Sequence, residues 1–279
     1  MTDDFTPPSV VVGVDGSRAA VRAALWAVEE AISREMPLRL VAAAEHAADQ
    51  SADPSSSAAA AARSVADTVR ATGRPVRVDV DVLAGPPVDV LVEASRTAAM
   101  LCVGAVGLHH FEHDRVGSTA LALAVSAHCP VAVVRGTDRR APDHPRWVVA
   151  GLDQSPDSAA VLQFAVAEAR LRDAPLRVLG SWQSHGDAAT EATEGNRLVH
   201  AQLDRRLSQW RHRYPDLDAQ PVAVHGTVLD YLAENAKSVQ LVVVGSRNTG
   251  VVGELLGPSG LATLDGDCSV VVVDPQRLL

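Results

Sequence analysis

The sequence predicts an α/β protein built on parallel, doubly wound sheets, and three observations carry this prediction. Short valine-rich runs alternate with longer alanine-rich segments along the chain, as expected for buried parallel strands joined by crossover helices. Glycine, proline and small polar residues separate these segments. Landmarks of the first half recur in the second half, which indicates two copies of one domain.

The first half contains five predicted strands that alternate with four predicted helices. The strands are predicted at about residues 9–14, 38–44, 76–82, 100–103 and 131–135, and the helices at about 17–34, 57–71, 85–96 and from 117 onward. The first helix carries Val21, Leu25 and Val28 at helical spacing. The third strand alternates valine with charged residues, which is typical of a half-exposed strand near a sheet edge. Strands joined by helices favour a parallel sheet with right-handed crossovers.

The repeat has an offset of 138 to 141 residues between matching landmarks. The matched pairs are Asp15 with Asp153, Gly85 with Gly226, Gly104 with Gly245, and Cys129 with Cys268. We therefore expect a first domain at residues 1–136, a polar proline-containing linker at 137–146, and a second domain at 147–279. Each domain is expected to hold one five-stranded parallel sheet flanked by helices.

Composition excludes several classes of function. The formal net charge of the 279 residues is −9 and the isoelectric point is about 5.5, which argues against nucleic acid or an anionic membrane as a partner. No signal-peptide pattern opens the chain and no apolar run is long enough to span a bilayer. Three irregularly spaced cysteines, Cys102, Cys129 and Cys268, indicate buried, reduced thiols. These features predict a cytoplasmic protein.

A glycine-punctuated loop is the strongest local signal for a binding site. The buried run that ends at Gly104 is followed by Gly107 and, after nine further residues, by Gly117, Ser118 and Thr119. Glycine allows the backbone to approach a ligand closely, and the free N–H groups of a following helix favour an anion. The spacing G-x2-G-x9-G-S therefore predicts a phosphate cradle.

Three segments together resemble the universal stress protein family in its tandem form. They are VVVGVDGS at residues 10–17, the glycine motif at 104–118, and CPVAVVR at 129–135. Their order and repetition extend the resemblance over nearly the whole chain. The resemblance implies Rossmann-like domains of the adenine nucleotide alpha hydrolase-like type, which bind ATP in one branch of the family, and it implies a nucleotide-dependent role in the stress response.

The resemblance also implies which residues bind the nucleotide in the first domain. Asp15, with Val14 beside it, is expected to face the adenine or ribose, Ala43 to line the adenine pocket, Val103 and Gly104 to lie against the ribose, and Gly107, Gly117, Ser118 and Thr119 to hold the phosphates. Most of these positions lie at carboxyl ends of predicted strands, where open α/β sheets bind ligands. A magnesium ion, if one binds, is expected to arrive with the nucleotide.

The first glycine loop departs from the family pattern. It carries Leu108, His109 and His110 where the family often has a flexible residue and two glycines. These histidines would either donate to a phosphate or crowd the pocket. His113 and Asp114 are close in sequence, but loop imidazoles without regular ligand spacing are more often solvated than metal-bound. No metal site is predicted.

The second copy of the motif has changed more. Asn248 stands in place of the second glycine, and eight residues rather than nine separate it from Gly257. Pro258 follows Gly257 and has no N–H to donate. Asp153, Gly245, Gly257 and Ser259 therefore form a weaker second nucleotide site, with a scaffold copy as the alternative.

No sequence motif demands catalysis. The chain has no G-x-x-x-x-G-K-[ST] loop, G-x-S-x-G elbow or H-E-x-x-H motif, and no lysine in the glycine loop. Slow ATP hydrolysis is the most that we expect, and a nucleotide-free interaction scaffold is the alternative to an ATP-binding regulator. The last strand of each domain is expected to be an apolar edge that pairs with the other inside one chain. A homodimer and an unidentified protein partner are further expectations.

Overall fold

A computed structural model describes residues 7–44, 54–106, 117–136, 146–153, 155, 158–182, 188–257 and 268–274. These residues form two compact units, one within Met1–Gly136 and the other within Thr137–Pro275.

The first unit is a parallel five-stranded sheet with helices between its strands. Its elements are β1 (Ser9–Gly13), α1 (Arg18–Ser33), β2 (Leu38–Ala44), α2 (Pro54–Ala71), β3 (Val78–Ala84), α3 (Pro87–Ala94), β4 (Ala98–Gly104), α4 (Ser118–Ser126) and β5 (Val131–Val134). The strand order is β3-β2-β1-β4-β5, and each neighbouring pair is parallel. The predicted α/β fold is therefore confirmed, and β3 lies at an edge, as its alternating pattern indicates.

The second unit repeats this arrangement. Its elements are β6 (Trp147–Leu152), α5 (Ser158–Leu171), β7 (Leu176–Trp182), α6 (Ala188–Arg213), β8 (Ala219–His225), α7 (Val228–Glu234), β9 (Val239–Gly245), α8 (Thr249–Leu256) and β10 (Ser269–Val273). Its strand order is β8-β7-β6-β9-β10, again parallel between neighbours. The second sheet therefore has the same topology as the first.

Small apolar residues form the core of the first unit. The buried face of α1 is built largely from alanines, including Ala23, Ala24 and Ala27, so the helix can lie close to the sheet. Ser17 caps α1 by accepting a hydrogen bond from the amide of Ala20 at 3.1 Å. All residues of β5 are buried valine or alanine. Alanine- and valine-rich packing explains how a chain with 3% aromatic residues builds a dense core.

The helix after β9 lies within the stretch that corresponds to the glycine motif of the first half. The repeat matches Gly257 with Gly117, and α8 precedes Gly257 and ends there. The side chain of Asn248 accepts a hydrogen bond from the amide of Val251 at 3.3 Å and so starts a helix directly after β9. Within the described ranges, no helix has the length and hydropathy needed to cross a membrane.

Candidate functional site

The strand order of the first unit reverses between β1 and β4, which leaves a crevice outside their carboxyl ends. The amide of Val14 donates to the carbonyl of Val41 at 2.9 Å, which continues the β1–β2 ladder up to the crevice. On the other side, the amide of Ala105 donates to the carbonyl of Val134 at 3.0 Å. The backbone on both sides of the crevice is therefore fixed by its neighbours.

Four of the predicted residues lie in these strand ends, and their exposure differs. Val14 and Val103 are each 5% exposed, whereas Ala43 is half-buried and Asp15 is exposed. Val14 and Val103 are thus buried at their strand ends, whereas the carboxylate of Asp15 faces solvent. This division suits a ligand with a flat apolar part and a polar rim.

Asp15 belongs to the turn that starts α1. Its Oδ1 accepts a hydrogen bond from the amide of Ser17 at 2.9 Å, and Gly16 between them has φ +84°, which glycine adopts without strain. The turn holds the carboxylate at the mouth of the crevice beside the amino end of α1.

Gly104 is where β4 passes closest to α1. A Cβ added at Gly104 would lie 2.7 Å from the carbonyl carbon and 2.7 Å from the Cβ of Ala19. Because part of this contact is with backbone, a side-chain rotation would not relieve it. The first glycine of the motif is therefore required by packing alone, a reason that the sequence pattern did not reveal.

The amino end of α4 lies next to the end of β4. The amide of Gly117 donates to the carbonyl of Ala105 at 2.7 Å, and no side chain of the described residues caps α4. Ser118 is exposed and Thr119 half-buried. The first-turn amides of α4 thus meet the crevice with no side-chain acceptor of their own, as an anion site requires. Gly107 lies outside the described residues.

The corresponding carboxylate of the second unit is enclosed by its own turn. Oδ1 of Asp153 accepts from the amide of Ser155 at 3.0 Å and from the hydroxyls of Ser155 and Ser158, each at 2.6 Å. Burial acts to raise the pKa of Asp153, but these hydrogen bonds outweigh it and lower the pKa below its usual value. The position of Ser158 corresponds to Ala20 in the first unit, which has no hydroxyl to offer Asp15.

An indole lies at the carboxyl end of the second sheet. Trp182 ends β7 at the position that Ala44 holds in β2, and its Nε1 donates to Oδ1 of Asn196 at 2.7 Å. Its ring lies 4.6 Å from that of His225. A Cβ added at Gly195 would lie 2.6 Å from the indole, so α6 packs directly on the ring. Sequence reasoning missed this cluster, for which the only signal was tryptophan in place of alanine at a strand end.

The remaining predicted residues of the second site are not brought together as a phosphate cradle. Gly245 ends β9, and its carbonyl accepts from the amide of Asn248 at 3.2 Å. Gly257 lies at the far end of α8, and Ser259 lies outside the described residues. The residues between Asn248 and Gly257 form α8 rather than a loop over a phosphate.

Two surface hollows lie away from the predicted site residues. One of about 450 Å³ lies between the ends of α5 and α6, beside Arg170 and Tyr214. The other, of about 540 Å³, lies beside Leu83 and α3. Among the described residues, no three or more histidine, cysteine or acidic side chains form a metal-binding group, and the histidines and Asp114 of the first glycine loop lie outside those residues.

The two consecutive doubly wound units, each with a crevice where its strand order reverses, define a tandem Rossmann-like protein. A sequence model of the universal stress protein family matches residues 8–135 and again residues 146–274. The chain belongs to the universal stress protein family and carries two of its domains.

Named relatives and a solved structure agree with this assignment. The chain is 46% identical to universal stress protein Rv2028c of Mycobacterium tuberculosis (strain ATCC 25618 / H37Rv), with 100% of both chains covered. It is 39% identical to universal stress protein Rv2624c of the same strain, over 96% of this chain and 97% of the relative. The crystal structure of a universal stress protein from Archaeoglobus fulgidus DSM 4304 matches with a TM-score of 0.67 over 95% of this chain and 96% of that one. Its sequence identity is 15%, so this last likeness concerns the fold.

Proposed function

We propose that this protein binds ATP, with Mg²⁺ where the nucleotide carries it, in the crevice of its first unit. The observation that carries the proposal is the convergence of the uncapped amino end of α4 with the close-packed end of β4. Backbone amides there are placed to receive phosphate oxygens. The exposed carboxylate of Asp15 and the apolar floor at Val14 and Val103 suit a ribose and a base. The residues present therefore fit an adenine nucleotide.

We further propose that each chain holds one nucleotide. In the second unit, the carboxylate of Asp153 is hydrogen-bonded by its own turn, and the large indole of Trp182 occupies the strand-end position that Ala44 holds in the first unit. A ligand would have to displace both groups, and it would meet α8 where the first unit has its glycine loop. The second domain then acts as a scaffold copy.

The function that follows is that of a nucleotide-dependent regulator in the stress response. A nucleotide that binds one conformation of the protein better than another shifts the population between them, and the partner-facing surface changes with it. The three cysteines are buried thiols outside any disulfide, which supports a reducing compartment such as the cytoplasm.

The experiment is a count of bound nucleotide in the intact protein. Native mass spectrometry of gently purified protein and titration calorimetry with ATP should both give one nucleotide per chain. Asp15→Asn should weaken ATP binding, whereas the matched Asp153→Asn should leave it unchanged. If no adenine nucleotide co-purifies and millimolar ATP produces no thermal shift, the proposal is refuted and the scaffold alternative stands. ADP formed above a buffer control during the titration would identify a slow ATPase.

We also propose that the last strands of the two domains pair within the chain. β5 and β10 each end the strand order of their own unit, and their residues are almost entirely valine and alanine. An edge strand of this kind presents unpaired backbone N–H and C=O groups, which can pair with another strand. Deletion of β10 should therefore cause aggregation, and a soluble monomeric truncation would count against the pairing. Size-exclusion chromatography with light scattering on the full chain would show whether a homodimer also forms.

A further inference from the structure

Arg22, an arginine outside the glycine motif, lies near the carboxyl end of the first sheet. Arg22 lies on α1, one turn after Ala19, the residue that contacts Gly104. A Cβ added at Gly136, just beyond β5, would lie 3.7 Å from Cδ of Arg22. The stem of this side chain therefore runs along the carboxyl end of the sheet, from β4 towards β5.

The guanidinium of Arg22 has no protein partner among the described residues. Its Nε is buried and makes no hydrogen bond there, and none of its nitrogens has an acidic partner in that part of the chain. Arg34, the residue that follows this helix, instead contacts Glu30 through its Nη2 at 2.9 Å. Buried polar groups in proteins are nearly always hydrogen-bonded, so the buried Nε of Arg22 has capacity for an acceptor from outside the protein.

The repeat supplies an internal comparison. Three arginines of the first unit, Arg18, Arg22 and Arg135, correspond by the repeat offset to Pro156, Ala160 and Asp274 in the second. The first unit therefore carries three basic residues that the second unit lacks, in a chain whose net charge is −9. These basic residues occur in the unit whose strand-end carboxylate is exposed, and they are absent from the unit whose carboxylate accepts from the hydroxyls of Ser155 and Ser158.

We propose that Arg22 binds the terminal phosphate groups of a nucleoside polyphosphate and so makes the first site selective for ATP and ADP over AMP. This inference rests on the proposed nucleotide site. In this arrangement the sugar of the ligand lies at Asp15, just after β1, and its first phosphate lies at the amino end of α4, beside β4. The further phosphates then extend towards β5, where Arg22 lies. A planar guanidinium can hold such a phosphate with two parallel hydrogen bonds.

The test compares Arg22→Gln with Arg63→Gln, which removes an exposed α2 arginine without an acidic partner in the described ranges. Calorimetric titrations of the full chain with ATP, ADP and AMP should show that Arg22→Gln weakens ATP binding by about tenfold, the effect of one charge-assisted hydrogen bond. AMP binding should change by less than about twofold, because an AMP molecule does not reach Arg22. Arg63→Gln should leave all three affinities unchanged, and Arg22→Lys should recover part of the ATP affinity.

Two further readouts separate this role from a structural one. The melting temperature without ligand should change by less than about 2 °C between Arg22→Gln and the unmodified protein, since no hydrogen bond or ion pair among the described residues is lost. The ATP affinity of the unmodified protein should also fall with added salt more steeply than that of Arg22→Gln.

The results distinguish a failure of the role proposed for Arg22 from a failure of the proposed nucleotide site. If the unmodified protein binds ATP and Arg22→Gln binds it equally well, the role of Arg22 is overturned and the proposed function remains. If Arg22→Gln weakens AMP binding as much as ATP binding, the proposal that Arg22 makes the site selective is overturned, and the proposed nucleotide site remains. If the unmodified protein binds none of the three nucleotides, both proposals fall.

Discussion

The contact between Gly104 and α1 gives the sharpest prediction, because the repeat provides its control. In Gly104→Ala the new methyl group would lie 2.7 Å from both the carbonyl carbon and the Cβ of Ala19. In the matched Gly245→Ala the nearest atom would be Cγ2 of Val161 at 3.4 Å, an ordinary van der Waals contact. The first substitution forces β4 and α1 apart, and the second does not.

The expected cost of Gly104→Ala is about 1–3 kcal/mol, the usual range for overpacking a dense core. We expect a destabilisation at the upper end of this range, because the clash includes backbone atoms and no side-chain rotation can relieve it. Such a loss should lower the melting temperature of the affected unit by about 4 °C for each 1 kcal/mol in a unit of this size. Gly245→Ala should change it by less than about 2 °C.

Scanning calorimetry is the appropriate assay, because two units can unfold in separate transitions and a single two-state fit would mix them. Titration with ATP should show weaker binding for Gly104→Ala, since the end of β4 moves away from the amino end of α4. Equal melting temperatures for the two variants would refute the argument that packing against Ala19 requires glycine at this position.

Three further predictions concern other parts of the chain. Hydrogen bonds hold the pKa of Asp153 below its usual value in the folded state, so its contribution to stability is present above the ordinary carboxyl range and is lost as the pH falls through the lowered value. The difference in melting temperature between the unmodified protein and Asp153→Asn should therefore shrink on acidification, and a constant difference would contradict this. Burial raises the pKa of Cys129 to about 12 and leaves all three thiols at most 3% exposed. A thiol reagent at pH 8 should therefore label no cysteine in the native protein and all three in guanidinium. Rapid labelling of the native protein would be inconsistent with this burial. Gly195→Ala should displace the indole of Trp182, shift the tryptophan emission and destabilise the protein by about 1–3 kcal/mol, whereas Gly253→Ala, with no atom near its new methyl group, should do neither.

The sequence predicted the fold well where pattern and capping agree. β2 was expected at residues 38–44 and spans Leu38–Ala44, because a largely apolar run follows directly after Pro37 and so has one clear beginning. The first helix was also placed within a residue, since Ser17 is both a strong cap in sequence and the observed cap.

The candidate site was harder to predict, because its decisive features are contacts between distant segments. The sequence pattern grouped Gly245 and Gly257 in one weaker nucleotide site, but the cap at Asn248 starts α8 between them, a helix that the pattern did not predict. The hydrogen bonding of Asp153 depends on the hydroxyls of Ser155 and Ser158, the second of which stands where the first unit has Ala20. The missing partner of Arg22 is likewise visible only in three dimensions.

The edges of the two sheets also differ in how they resist aggregation. The outer strand β3 carries Asp79 and Asp81, and the outer strand β8 carries Pro221; charge and proline are the two common means by which an edge strand blocks pairing with stray chains. β5 and β10, at the opposite ends of the two strand orders, have neither charge nor proline. A nascent or truncated chain that exposes one of these two strands would thus display a short valine-rich segment of the kind that nucleates cross-β assembly. The solubility of each domain in isolation would then depend on whether that one strand is covered.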